Sequence, residues 1–180
     1  MGYRHSQGEI LAAAVAVALE TGIAGLTFAK VGERLGISDR TVVYYFPSKT
    51  DLIVAVTLSL GADLEQLLHA AFDSERCSPV ELLQRAWPVL TTPEADRVFA
   101  LYFELVGLAS AGTVPFVELA TSMVSGWVDW LAVRTQGSTP AIRRRRAVAV
   151  VAQIDGLLLV RRIVGAEAAE SAAFELGVRR

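Results

Sequence analysis

The chain has 180 residues, a formal net charge of −2, 53% hydrophobic residues and only 20% charged ones. That length suits one large domain or a small head on a larger body, with a core that needs no disulfide or structural metal. The lone cysteine, Cys77, excludes an internal disulfide and a thiolate-rich metal site, and it suits a reducing cytoplasm.

In chain order, Ser6 followed by Glu9 forms a capping box that opens a helix through Ala14, Ala18 and Leu19. Gly22 supplies a left-handed residue to end it. Thr27 then caps a short helix over Phe28–Leu35, with Val31 and Leu35 on one face. Gly36-Ile37-Ser38 turns the chain, and Ser38 caps a second short helix to about Tyr45. Pro47 stops that helix, and Ser48 with Asp51 starts another. Its apolar face reads Leu52, Val56, Leu60, Leu64, Leu67 and Leu68, and it continues to about Phe72.

The same punctuation recurs downstream. Ser78-Pro79, Thr92-Pro93 and Thr139-Pro140 each place a capping hydroxyl before a proline suited to a first helical turn. Gly112-Thr113 and Gly165 mark two further breaks. No alternating β-branched run between hairpin turns is present, so the expected fold class is all-α. The change from short to long helices predicts a three-helix head over residues 1–47 and a helical body over 48–180.

Thr27 to Lys49 carries the functional signal. Two short helices joined by a glycine-containing turn make a helix-turn-helix, whose second helix can lie in a major groove. The run LTFAKVGERLGISDRTVVYYFPSKTDL resembles the head of the tetracycline-repressor (TetR) family of bacterial regulators. Thr27, Val31, Gly36, Ile37, Ser38, Thr41, Tyr45, Phe46, Ser48, Lys49 and Leu52 stand where that pattern wants them. The motif covers about Glu9 to Leu52; beyond it, Asp155-Gly156-Leu157 is similar to a segment of the family's penultimate helix. Two departures stand out. Gly32 occupies a usual alanine position, at about 1 kcal/mol of helix propensity. Val43 replaces a tyrosine that touches the DNA backbone, with Tyr44 about 100° further round the helix.

The residues expected to meet DNA are Thr27, Ser38, Asp39, Arg40, Thr41, Tyr44, Tyr45, Ser48 and Lys49. Thr27, Ser48 and Lys49 sit at helix starts and suit phosphate oxygens, whereas Arg40 suits bidentate pairing with guanine. Val42 and Phe46 are expected in the head's core. Charge alone is neutral on this point, since Arg4, Lys30, Arg34, Arg40 and Lys49 barely outweigh Glu9, Glu20, Glu33 and Asp39.

In the body, the helix Ala141 to Val164 is apolar nearly all round, as expected of a helix buried on two sides. With a final helix from Glu167 to about Val178 it predicts a two-fold, four-helix homodimer contact, which the family resemblance also implies. The four arginines Arg143 to Arg146 are spread around the helix and are expected to pair with Glu167, Glu170 or Glu175. Trp87, Phe99, Tyr102, Phe103, Leu108, Met123 and Trp127 are the candidates for an apolar ligand cavity, with Glu104 and Asp155 as polar anchors.

No His-Glu-x-x-His, paired Glu-x-x-His, phosphate-cradling glycine loop or Gly-x-Ser-x-Gly is present, so no enzyme activity, metal or cofactor is expected. Glu65 and His69, one turn apart, supply too few ligands for a metal. The longest apolar stretch, Ala147 to Val160, is interrupted by Gln153, Asp155 and Gly156, so neither a span nor a membrane partner is expected. The N-terminus lacks a signal-peptide pattern; Met1 to Ser6 matches the loose myristoylation pattern, which is short enough to recur by chance. The expectation is a cytoplasmic, ligand-responsive DNA-binding repressor, the alternative a helical hydrophobe-binding protein that no longer binds DNA.

Overall fold

A computed structural model describes residues 5–72 and 75–179, so most of the Met1 to Ser6 pattern lies outside the described residues. Nine α-helices follow one another among them: α1 Gln7–Gly25, α2 Phe28–Leu35, α3 Asp39–Tyr45, α4 Lys49–Ala71, α5 Pro79–Leu90, α6 Pro93–Ser110, α7 Phe116–Arg134, α8 Pro140–Ile163 and α9 Ala166–Glu175. The helix starts follow the caps. Ser6 and Ser78 form reciprocal boxes with Glu9 and Glu81, and Thr27 and Thr139 accept from Lys30 N–H and Ile142 N–H. Hydrogen bonds from Ser6 hold the Glu9 carboxyl below its ordinary range, the sign expected of an acidic cap.

The chain divides into two compact units, Met1–Asp63 with Ala100–Val117, and Leu64–Phe99 with Glu118–Arg180. This division falls inside α4, which starts at Lys49.

In the first unit, α1 packs on α2 and α2 on α3. Ile10, Val31, Val42 and Leu52 are fully buried, with Leu26 and Phe46 almost so. Each such side chain stabilises the fold by roughly 1.5–3 kcal/mol. Gly22 does not end α1 as expected. It bends the helix at φ 74°, ψ 174°, and one further turn follows before Leu26 N–H closes on Gly22 O at 3.1 Å. Gly36, at φ 67°, ends α2 in the left-handed conformation. Ser38 stands at the start of α3 but makes no side-chain cap.

In α4 the stripe Leu52, Val56, Leu60, Leu64 and Leu68 is buried at four-residue steps. Leu67 is 58% exposed, a correction to the predicted face: it lies about 100° round the helix from Leu68. α1 and α4 are each long and apolar enough to cross a membrane, contrary to expectation, yet both spend an apolar face on packing.

In the second unit, α8 packs on α5 and α9. The segment before α5 is stapled to the end of α7 by an unpredicted parallel bridge. Cys77 N–H donates to Arg134 O at 2.9 Å, and Gln136 N–H to Cys77 O at 2.8 Å. The arginine run does not pair with α9. Arg143 and Arg146 donate to the Gly137 and Gln136 carbonyls, and Arg144 pairs with Asp129. Of those glutamates, Glu170 is taken by the Trp87 indole N–H and by Arg179.

Gly32 has a structural reason. A Cβ built there would lie 2.7 Å from Ile37 O and 3.3 Å from Asp39 N, both backbone atoms. Gly32→Ala gains about 1 kcal/mol of helix propensity but overpacks the turn at a cost of about 1–3 kcal/mol. Urea unfolding of the full-length protein followed by circular dichroism should show net destabilisation; a higher midpoint would mean that the turn yields without strain.

Candidate nucleic-acid interface

α3 is anchored from beneath and bare on top. Val42 is fully buried and Phe46 is 4% exposed, which fixes the helix's rotation about its own axis. Asp39 and Arg40 are therefore exposed, and Tyr44, one turn after Arg40, is 80% exposed. Asp39 Oδ1 accepts Arg40 N–H at 2.8 Å, so a carboxylate supports the positive helix start. Ser38 and Thr41 share one hydroxyl hydrogen bond at 3.1 Å. Tyr45 is half-buried, and its hydroxyl donates to His5 O at 3.1 Å, tying α3 to the start of α1. Of the two tyrosines grouped as DNA contacts, Tyr44 is the one displayed outward.

The helix starts around α3 supply cations. Lys30 Nζ donates to Gly25 O at 3.0 Å and Lys49 Nζ to Ala24 O at 3.1 Å. Both ammonium groups thus rest on the negative end of α1, and each keeps two of its three protons. Thr27 Oγ1 accepts Lys30 N–H at 3.2 Å, leaving its own proton to donate. Ser48 differs: its hydroxyl donates to Asp51 Oδ2 at 2.7 Å and accepts Asp51 N–H at 3.1 Å. Its capacity goes to starting α4. Lys30 was not singled out as a contact from sequence; a cation in a first helical turn, where the dipole opposes it, is the signal that could have found it.

The predicted ligand residues are distributed over both units. Tyr102, Phe103, Glu104 and Leu108 belong to the first, and Trp87, Phe99, Met123, Trp127 and Asp155 to the second. Trp87 is buried, and its indole N–H donates to Glu170 at 3.1 Å. Trp127 and Trp130 meet edge to face at 5.6 Å. The Arg134 guanidinium lies 3.7 Å from the Trp130 ring centroid. His69 approaches Glu65 at 3.3 Å and Arg134 at 3.2 Å. Arginine only donates, so Nδ1 faces a donor in Arg134, while Nε2 faces both the Glu65 carboxylate and, at 3.5 Å, the Trp130 indole N–H.

A cavity of about 240 Å³ is lined by Asp96, Phe99, Leu158, Arg161, Arg162 and Ala166, including only Phe99 of the predicted set. Arg161 grips Asp96 with two hydrogen bonds, at 2.7 and 2.8 Å, and Thr91 O with a third at 2.9 Å. The Asp96 hydrogen bonds raise the Arg161 guanidinium above its ordinary range, against the opposing effect of burial. Glu104 has a partner that the sequence did not suggest: its carboxylate accepts Ile23 N–H at 2.8 Å.

Residues 10–56 match the family model of bacterial regulatory proteins, tetR family. A comparison with curated proteins gives no match. Among solved structures, the chain is similar to a transcriptional regulator from Rhodococcus sp. Rha1, with TM-score 0.74 and 23% identity over 97% of this chain and 94% of that one. It is also similar to a TetR transcriptional regulator from Legionella pneumophila, with TM-score 0.69 and 21% identity over 98% and 97%. A third similar structure is the multidrug binding protein EbrR complexed with proflavin, with TM-score 0.69 and 25% identity over 94% and 96%. Residues 10–56 thus carry a head of the tetR family, on an all-helical fold that this chain shares with these structures.

Proposed function

We propose that the chain is a cytoplasmic transcriptional repressor that binds operator DNA as a homodimer and is released by a small apolar ligand. The carrying observation is α3, which displays Asp39, Arg40 and Tyr44 while Val42 and Phe46 hold it in place. On this reading Arg40 pairs with guanine in the major groove, and Thr27, Lys30 and Lys49 hold the phosphates on either side.

α8 supports the dimer. Its Ala147, Val150, Leu157 and Leu158 are buried within the chain. Val148, Ala152, Gly156, Leu159 and Ile163 are exposed at three- and four-residue steps, a continuous apolar stripe. A Cβ on Gly156 would meet nothing within 4 Å, so a second helix has room to approach there. Phe174 of α9, 63% exposed, extends the apolar surface. A two-fold pair of such chains places two heads on a near-palindrome, with half-sites about one helical turn, roughly 34 Å, apart.

The aromatic residues of the body support a small-molecule site, and EbrR, of similar fold, is a multidrug binding protein. Ligand and operator then oppose each other: a ligand that lowers DNA affinity by a given factor is itself bound more weakly on DNA by that factor.

Titration against a duplex from the protein's own upstream region tests the assignment. Arg40→Ala should cost about 1–3 kcal/mol on the specific site and relax its sequence preference. Lys49→Ala should weaken all duplexes alike and reduce the salt slope by about 1. Equal losses on specific and random DNA would remove Arg40 from base readout. No binding to either duplex would favour the hydrophobe-binding alternative.

For the dimer, Leu159→Glu combined with Ile163→Glu should halve the mass seen by light scattering without loss of helicity. An unchanged dimer mass would place the subunit contact elsewhere.

A further inference from the structure

We infer that Glu104 is the residue through which α6 positions the phosphate-binding lysines of the head, an inference that rests on the DNA-binding reading above. The observations lie within one compact unit, since residues 100–117 group with the head. At the bend in α1 the Ile23 amide turns to Glu104 Oε2 at 2.8 Å. Glu104 Oε1 lies against the bare face of Gly22, where a Cβ would sit 2.6 Å away. Glycine at this position therefore serves twice, by taking φ 74° and by admitting the carboxylate.

Immediately downstream, the next two carbonyls take the two ammonium groups. Ala24 O accepts Lys49 Nζ from the start of α4, and Gly25 O accepts Lys30 Nζ from the first turn of α2. A carboxylate thus binds the N–H side of a short run of peptides, and two cations bind its C=O side. Both contacts are charge-assisted and polarise the intervening amides in the same sense, so each strengthens the other. Leu26 N–H closes the run on Gly22 O.

The consequence is mechanical. While Glu104 holds residue 23, the carbonyls of 24 and 25 are fixed, and the lysines present their remaining protons toward the DNA side. When α6 carries Glu104 away, the 22–26 run is released and the lysines lose their anchors. Affinity then falls through the phosphate contacts and leaves base readout alone. Glu104 is accordingly a positioning residue for DNA binding.

The test uses the full-length protein, with fluorescence anisotropy on a random-sequence 30-base-pair duplex across a series of salt concentrations. Glu104→Ala should lower affinity roughly tenfold and reduce the salt slope by about 1–2, because one or two phosphate contacts are lost. Glu104→Gln, whose amide oxygen still accepts from Ile23 N–H, should stay within about threefold of the parent. Hydrogen exchange over residues 22–26 should quicken in the alanine variant alone. Combined with Lys30→Ala and Lys49→Ala together, Glu104→Ala should add little further loss, whereas with Arg40→Ala the losses should add.

A parental salt slope in Glu104→Ala, or a glutamine variant as impaired as alanine, would overturn the inference. Should the alanine variant not fold, Glu104→Asp withdraws the carboxylate by one methylene and should shift slope and exchange in the same direction; parental values there would overturn it equally. A parent protein that binds no duplex would instead remove the regulator reading, and equal exchange at 22–26 in the alanine and glutamine variants would then count separately against Glu104.

Discussion

The relation between α2 and α3 is set by one backbone contact: Gly32 O accepts the Ile37 amide at 2.9 Å, and the Gly32 Cα passes against Ile37 O and Asp39 N with no room for a side chain. Gly36 reverses the chain four residues later, and its own amide returns to Glu33 at 3.2 Å. Everything displayed by α3 depends on this closeness. If the turn opened, Val42 and Phe46 would leave their places in the core and Arg40 would point elsewhere. A glycine that costs helix propensity has been kept where the two helices come nearest, so the penalty in α2 is offset by the geometry of the pair.

The same economy governs charge. A chain of net charge −2 has no general attraction to a polyanion, so cations must be placed individually. Lys30 and Lys49 are held by carbonyls, leaving protons free, whereas Arg34 is consumed by a two-bond pair with Glu20 at 2.8 Å. That pairing holds the Glu20 carboxyl below its ordinary range and the Arg34 guanidinium above its own. Two arginines of the same head thus differ in kind. Arg34 welds α1 to α2, and Arg40 stands exposed on α3.

Much of this was legible from local sequence because helix starts are written in short-range chemistry. Ser6, Thr27, Ser78 and Thr139 cap where the hydroxyl-plus-three pattern says they should. What escaped was whatever depends on residues far apart. Gly22 reads as a stop, yet α1 resumes, and Glu104, 81 positions from Ile23, takes the Ile23 amide that the bend turns out. Ser38 reads as a cap, but its hydroxyl meets the Thr41 hydroxyl instead. Glu104 reads as an isolated acid in apolar sequence, and spacing along α6 says nothing of a bend in α1. Arg40 and Tyr44 on α3 could be placed by helical periodicity; the anchoring of Lys30 on α2 could not, since it depends on the Gly25 carbonyl.

The excess of apolar residues finds its explanation in α8. A helix with one apolar face can satisfy a monomer, and α8 does so through Ala147, Val150, Leu157 and Leu158. Along the stripe from Val148 to Ile163, Val148, Leu159 and Ile163 leave about half or more of their surface exposed. Leaving about 25 cal/mol per Å² in water along more than four helical turns is a standing cost for a free subunit. The proposed two-fold association would remove that cost for both copies at once, because the same stripe would supply both halves of the contact. In the homodimer proposed above, the apolar surface would bring two α3 helices to one duplex, and each head, nearly neutral overall, would add its partner's phosphate contacts to its own.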